Sequence, residues 1–115
     1  MFELTVESSF SGAHQLLKSN CPCENLHGHN WRVELTVAGE TQDPEVGWFI
    51  DFKVIKQKLS QELEKYDHKY LNDVMGVSPT AENIAQAIYR SLKKDLPVAR
   101  VRVWETERAS VTYYE

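Results

Sequence analysis

The sequence has no basic run, and its acidic side chains outnumber the basic ones, giving a formal net charge of −4 over 115 residues. Without a basic patch it lacks the electrostatic footprint of a nucleic-acid binder, so no nucleic acid is expected as a partner. No apolar stretch approaches the roughly 20 residues that a bilayer-spanning helix needs, so no membrane partner is expected. Met1-Phe2-Glu3 opens the chain with neither a basic nor an apolar leader region. The reading is a soluble, cytoplasmic protein. Cysteine is scarce as well: Cys21 and Cys23 are the only two, with Pro22 between them. Thiols that close cannot bridge each other without strain, so they read as groups for metal binding or chemistry rather than as a disulfide framework.

What is present is an ordinary globular composition, 42% hydrophobic. A chain of this size buries roughly two thirds of its unfolded surface, which makes a core possible without covalent staples. No linker, repeat or low-complexity segment divides it, so residues 1–115 form one domain.

Hydrophobic periodicity sets the expected elements. Phe2, Leu4, Val6, Ser8 and Phe10 alternate with polar residues, which predicts a half-buried strand that Gly12 interrupts. Residues 18–26 read as a loop. Alternation returns at His27, His29, Trp31, Val33, Leu35 and Val37, predicting a second strand antiparallel to the first. A turn-rich connector spans Gly39 to Gly47. Asp51 is placed to cap a helix whose stripe is Phe52, Ile55, Leu59, Leu63 and Tyr66. Residues 67–78 read as a second loop. A second helix opens around Ser78-Pro79-Thr80, with proline in its first turn and a stripe of Ala81, Ile84, Ala85, Ile88 and Leu92. Val101, Val103 and Glu105 share a face of a third strand, and Ser110 to Tyr114 make a fourth. The order ββααββ predicts an α+β fold, a four-stranded antiparallel sheet with both helices on one face. Its two open edges invite pairing with another subunit.

The chemistry-bearing residues gather around the second strand. His27 and His29, two apart on an extended segment, point the same way and can grip one metal ion; ordinary half-buried histidines follow the same spacing. His14 follows the neighbouring strand and is the natural third ligand. Three neutral imidazoles leave a fourth position on zinc for water or substrate, the catalytic arrangement. A closed structural site of Cys21, Cys23, His27 and His29 competes with it, although the single-residue spacer between the cysteines is shorter than such sites use. If Cys23 is not a ligand, a nearby metal or imidazolium would lower its pKa and free it to react. Asp67 can orient His68 as a proton shuttle, or the pair is a polar loop dipeptide. Glu105 continues an inward-facing strand row, where a carboxylate is costly unless paired. It matches a flat ligand that presents two parallel N–H donors, and Glu107, the next on that face, is less protected.

Taken in order, Phe10 to His14, Cys23 to His29, Gly47 to Phe52, Asp67 to Asp73, Pro79 to Asn83 and Trp104 to Thr106 resemble the 6-pyruvoyl-tetrahydropterin and 6-carboxy-tetrahydropterin synthase family nearly end to end. The resemblance implies a tunnelling fold (T-fold) whose subunits join their sheets into a barrel, as a homo-hexamer built from two trimers with sites between subunits. It implies Zn2+ on His14, His27 and His29, with Cys23 as catalytic base and Asp67 and His68 as relay. Glu105 becomes the pterin anchor, with Thr80 and Glu24 also at the substrate. The implied small-molecule substrate is 7,8-dihydroneopterin triphosphate. The branches of the family resemble different patterns before His27-Gly28-His29. Cys23 fits the carboxy branch, Cys21 the pyruvoyl spacing, and Glu24 a folate-related branch that releases 6-hydroxymethyl-7,8-dihydropterin. The leading expectation is the carboxy enzyme of queuosine (7-deazapurine) precursor synthesis, with dual function as an alternative and a non-catalytic structural zinc module as the last.

Overall fold

The computed structural model describes residues 1–21 and 24–115. Strand β1 (Phe2–His14) and strand β2 (His27–Gly39) form an antiparallel ribbon, with Phe10 opposite Trp31 and His14 opposite His27. Helix α1 (Phe52–Leu63) follows, then a two-residue strand β3 (Lys69–Tyr70), a single-turn helix α2 (Leu71–Val74) and helix α3 (Ala81–Leu92). Strands β4 (Val98–Thr106) and β5 (Ala109–Tyr113) complete a sheet of order β3-β1-β2-β4-β5.

The α+β architecture, the ββααββ order and the two helices follow the expectation, with one correction to the sheet. It has five strands, not four, and β3 pairs parallel to β1, setting Gly12 beside Lys69 and Ala13 beside Tyr70. The expected loop at 67–78 therefore contains an edge strand and a helical turn. Gly12 does not interrupt β1, which continues to His14. A Cβ at position 12 would stand 3.2 Å from the Leu71 side chain. Glycine there lets α2 press its buried leucine onto the strand.

Alternation and helical periodicity converge on one core. Val6 and Phe10 from β1, Trp31, Val33, Leu35 and Val37 from β2, and Val101 and Val103 from β4 are buried beneath the helices. Burying each such side chain stabilises the fold by about 1.5–3 kcal/mol relative to exposure. Trp31 stacks on Phe10 at 5.9 Å between ring centroids, and its indole N–H donates to the Gly12 carbonyl at 3.2 Å. Asp51 caps α1 by accepting from the Lys53 amide at 2.9 Å. Ile55, Leu59 and Leu63 face inward, and Tyr66 is buried just beyond the helix. Phe52 departs from the expected stripe, being 51% exposed. Thr80 caps α3 by accepting from the Asn83 amide, so Pro79 precedes the helix rather than occupying its first turn.

One buried carboxylate joins the helices. Glu62 accepts from Lys65 Nζ at 2.8 Å, from the Tyr66 hydroxyl at 3.2 Å and from the Ser91 hydroxyl at 2.6 Å. Burial, and then the charge of Glu62, push the Tyr66 phenol above its ordinary pKa. Among the described residues, no helix is long and apolar enough to cross a membrane.

Candidate metal centre

His14 closes β1, and His27 and His29 open β2. The ribbon register sets His14 opposite His27 and Gly12 opposite His29, so all three imidazoles project from one face at the same end of the sheet. Their candidate ligand nitrogens lie within 4.8 Å of one another. His14 is fully buried and its Nδ1 donates to the Pro79 carbonyl at 2.8 Å. His27 Nδ1 donates to the Asn25 carbonyl at 2.7 Å. A proton fixed on Nδ1 leaves the Nε2 lone pair available, the arrangement by which an outer hydrogen bond orients a ligand histidine.

Two buried side-chain atoms among the described residues lack a hydrogen-bond partner: His14 Nε2 and His29 Nε2. Orphaned buried nitrogens are costly. Here they face each other and a third imidazole, a donor set suited to zinc with one coordination position left over. Burial, opposed by Glu105 and reinforced by the other two histidines, holds His29 below the ordinary imidazole pKa. A neutral ring is the ligating form. The residues present therefore fit a metal ion.

The competing cysteine-containing site gains no support from the described residues. The trio of histidines is the one group of metal-binding type among them, and Cys21 is not part of it. Cys21 Sγ lies 3.1 Å from the Ser19 hydroxyl. Cys23, the expected base, lies outside the described residues.

Glu105 stands where its strand row meets the triad, its Oε1 3.6 Å from His29 Nε2. The β4–β5 register shifts between Trp104 and Thr106, so Glu105 sits at an irregularity of the ladder. Asp67 and His68 make a different kind of contact. Asp67 Oδ1 accepts from the Ser11 amide at 2.9 Å, while the His68 amide donates to the Ser11 carbonyl at 2.6 Å. One side chain and one backbone group thus grip both sides of Ser11 on the open edge of β1. Asp67 Oδ2 also reaches His68 Nδ1 at 3.0 Å. The Ser11 amide, and then His68, hold the Asp67 carboxyl below its ordinary pKa. His68 adopts φ 57°, in the left-handed region, and its side chain is 82% exposed. A cavity of about 500 Å3 has Gly12, His29, Asn30, His68, Lys69 and Tyr70 in its wall, so His68 and the metal-site strand border a common space.

Thr80 and Glu24 carry local structural duties. Thr80 caps α3 next to the Pro79 carbonyl that holds His14. Glu24 is half-buried, and its Oε1 accepts from the Asn20 amide at 3.0 Å, closing its own loop. Sequence reasoning missed Gln15 and Asn72. The Asn72 carboxamide accepts from the Gln15 amide and donates to the Gln15 carbonyl, both at 2.9 Å. Asn72 lies within the Asp67 to Asp73 motif, but nothing in that motif shows that its side chain serves the backbone of Gln15.

An α+β subunit that pairs a long antiparallel ribbon with two helices on one face, and places three histidines at the ribbon's end, is a tunnelling fold. The sequence pattern of the family described as 6-pyruvoyl tetrahydropterin synthase matches residues 3–115, and the chain belongs to that family. A relative from Synechocystis sp., named 6-carboxy-5,6,7,8-tetrahydropterin synthase, is 37% identical over 99% of this chain and 94% of its own. A dihydroneopterin monophosphate aldolase from Pyrococcus furiosus is 34% identical over 85% of this chain and 84% of its own. The solved structure of the Caenorhabditis elegans 6-pyruvoyl tetrahydropterin synthase superimposes with a TM-score of 0.85 at 28% identity, covering 100% of this chain and 97% of that one.

Proposed function

We propose that this chain is a zinc-dependent 6-carboxy-5,6,7,8-tetrahydropterin synthase, acting on 7,8-dihydroneopterin triphosphate in the cytoplasm for queuosine precursor synthesis. The observation that carries the reading is the triad: His14, His27 and His29 on one face, with two buried ring nitrogens that have no hydrogen-bond partner. The Synechocystis relative, similar along nearly the whole chain, supports the carboxy product.

His14, His27 and His29 would hold the zinc, which when bound supplies Lewis acidity to the hydroxyls of the substrate side chain. Glu105 accepts paired N–H donors from the aminopyrimidine edge of the pterin, a charge-assisted contact that fixes the ring beside the triad. Cys23 takes and returns protons at the side-chain carbons. His68, oriented by Asp67, acts as partner acid. The side chain undergoes internal redox, triphosphate departs, and carbon–carbon cleavage that consumes one water leaves the carboxylate and releases acetaldehyde. The exposure of His68 suits a site finished by a neighbouring subunit, within a homo-hexamer of two trimers.

The second reading is a folate-branch activity that releases 6-hydroxymethyl-7,8-dihydropterin, alone or beside the first. Glu24 and the Pyrococcus relative favour it. A pyruvoyl-type product is the remaining variant of the same chemistry. Incubation of pure protein with 7,8-dihydroneopterin triphosphate and mass identification of products decides among them. Carboxy product with acetaldehyde supports the lead. Hydroxymethyl product that is lost in Glu24→Ala and kept in Cys23→Ala moves the assignment to the folate branch. Absence of any turnover overturns every pterin synthase reading.

A further inference from the structure

Gln15 follows directly on the metal-site residue His14, and its bonds run in three directions. Its backbone is held on both sides by the Asn72 carboxamide, at 2.9 Å each. Its side-chain oxygen accepts from the Tyr70 hydroxyl at 2.6 Å. Its side-chain nitrogen donates to the Glu24 carbonyl at 3.3 Å. Past β3, where the paired strand ends, a side chain on α2 thus continues the edge pairing of β1 for one more residue. The Gln15 carboxamide then extends that contact into the 18–26 loop.

Among its described residues the loop has little regular backbone pairing. Lys18 and Asn20 have φ of 67° and 57°. Non-glycine residues persist in that region only when their surroundings hold them there. Among the described residues, the hydrogen bonds of this loop include the Glu24 carboxylate on the Asn20 amide, the Glu24 amide on the Cys21 carbonyl at 3.1 Å, the Asn25 carbonyl on the His27 ring, and the Gln15 bridge. The Gln15 bridge joins the loop to the end of β1 and, through Tyr70 and Asn72, to β3 and α2.

We infer that Gln15, anchored by Asn72 and Tyr70, is a positioning residue that fixes Glu24 against the β3–α2 segment. It ties the Glu24 backbone to the segment that directly follows Asp67 and His68, without touching substrate. This role rests on the pterin synthase reading only for its effect on turnover; the positioning itself is independent of it.

The test compares wild type with Gln15→Leu, Gln15→Glu and Tyr70→Phe. Gln15→Leu removes both side-chain bonds. Gln15→Glu keeps the acceptor for Tyr70 and loses the donor for the Glu24 carbonyl. Tyr70→Phe does the reverse. Amide hydrogen exchange at Asn20 and Glu24 should quicken in both Gln15 variants while β4 and β5 stay unchanged. With the triphosphate substrate, kcat should fall about 10- to 100-fold in Gln15→Leu, KM should move by less than about threefold, and zinc content should hold. Unchanged exchange in both Gln15 variants overturns the positioning role, as does a loss of kcat that merely follows a loss of zinc. A wild type without turnover removes the pterin synthase reading instead, and the exchange data then decide the positioning alone.

Discussion

Glu105 Oε1 lies 3.6 Å from His29 Nε2, bringing a β4 carboxylate against a β2 imidazole nitrogen that has no hydrogen-bond partner. The carboxylate is a third exposed and the imidazole 19% exposed. The pair therefore lies at the partly exposed rim of the triad, away from fully buried His14. A flat donor edge approaching Glu105 would come to rest beside the metal site.

Substituting Glu105 should consequently separate substrate affinity from metal binding. Glu105→Ala is expected to lower kcat/KM by about 10- to 100-fold, the worth of one lost charge-assisted contact, chiefly through KM. Zinc content measured by atomic emission should stay at the wild-type level. A simultaneous loss of zinc would instead make Glu105 part of the metal site.

His14→Ala should abolish stoichiometric zinc binding, whereas Cys21→Ser should retain it. Full zinc occupancy in His14→Ala would overturn the three-histidine site. The same substitution leaves the buried Pro79 carbonyl without its donor, which costs about 1–3 kcal/mol in urea denaturation.

Acid should act on Asp67. Its carboxyl is held low by the Ser11 amide and by His68. A depressed folded pKa gives stability that is complete above the unfolded value, about pH 4. That stability is lost as pH falls through the lower folded value. Thermal melts should thus show Asp67→Asn less stable than wild type at neutral pH. The gap should narrow on acidification below about pH 4. A gap that is constant across that range would show that the carboxylate charge plays no part in gripping Ser11.

Glu62 offers a stability test remote from the site. Glu62→Ala strips partners from Lys65, Tyr66 and Ser91 at the α1–α3 contact and should cost about 3 kcal/mol. Urea midpoints read this directly, and pterin product identity should not change.

The strand ribbon and both long helices were legible because their periods persist over many residues. Thirteen residues of alternation in β2 admit one inward face, and that face carries His27 and His29 into line with Trp31. His14 was harder to place: Gly12 looked like a strand end, and only the contact with Leu71 explains why glycine sits within the strand. Strand β3 was invisible, since two residues have no period. Glu62 falls on the apolar stripe of α1, seven residues past Ile55 and three past Leu59, and its burial there is satisfied in part by a serine 29 positions away, which no local pattern reveals. The Asp67 grip on Ser11 and the Asn72 grip on Gln15 were hidden for the same reason: each is a side chain serving a distant backbone. The triad was readable as chemistry, while the contacts that aim it were not.

Those aiming contacts bear on how the site would be filled. Main-chain carbonyls of Pro79 and Asn25 hold the His14 and His27 rings, and the ribbon register holds all three histidines side by side. An ion entering this place would meet rings whose directions the strand pair and these two carbonyls set. The choice among divalent metals falls to ligand chemistry and to supply.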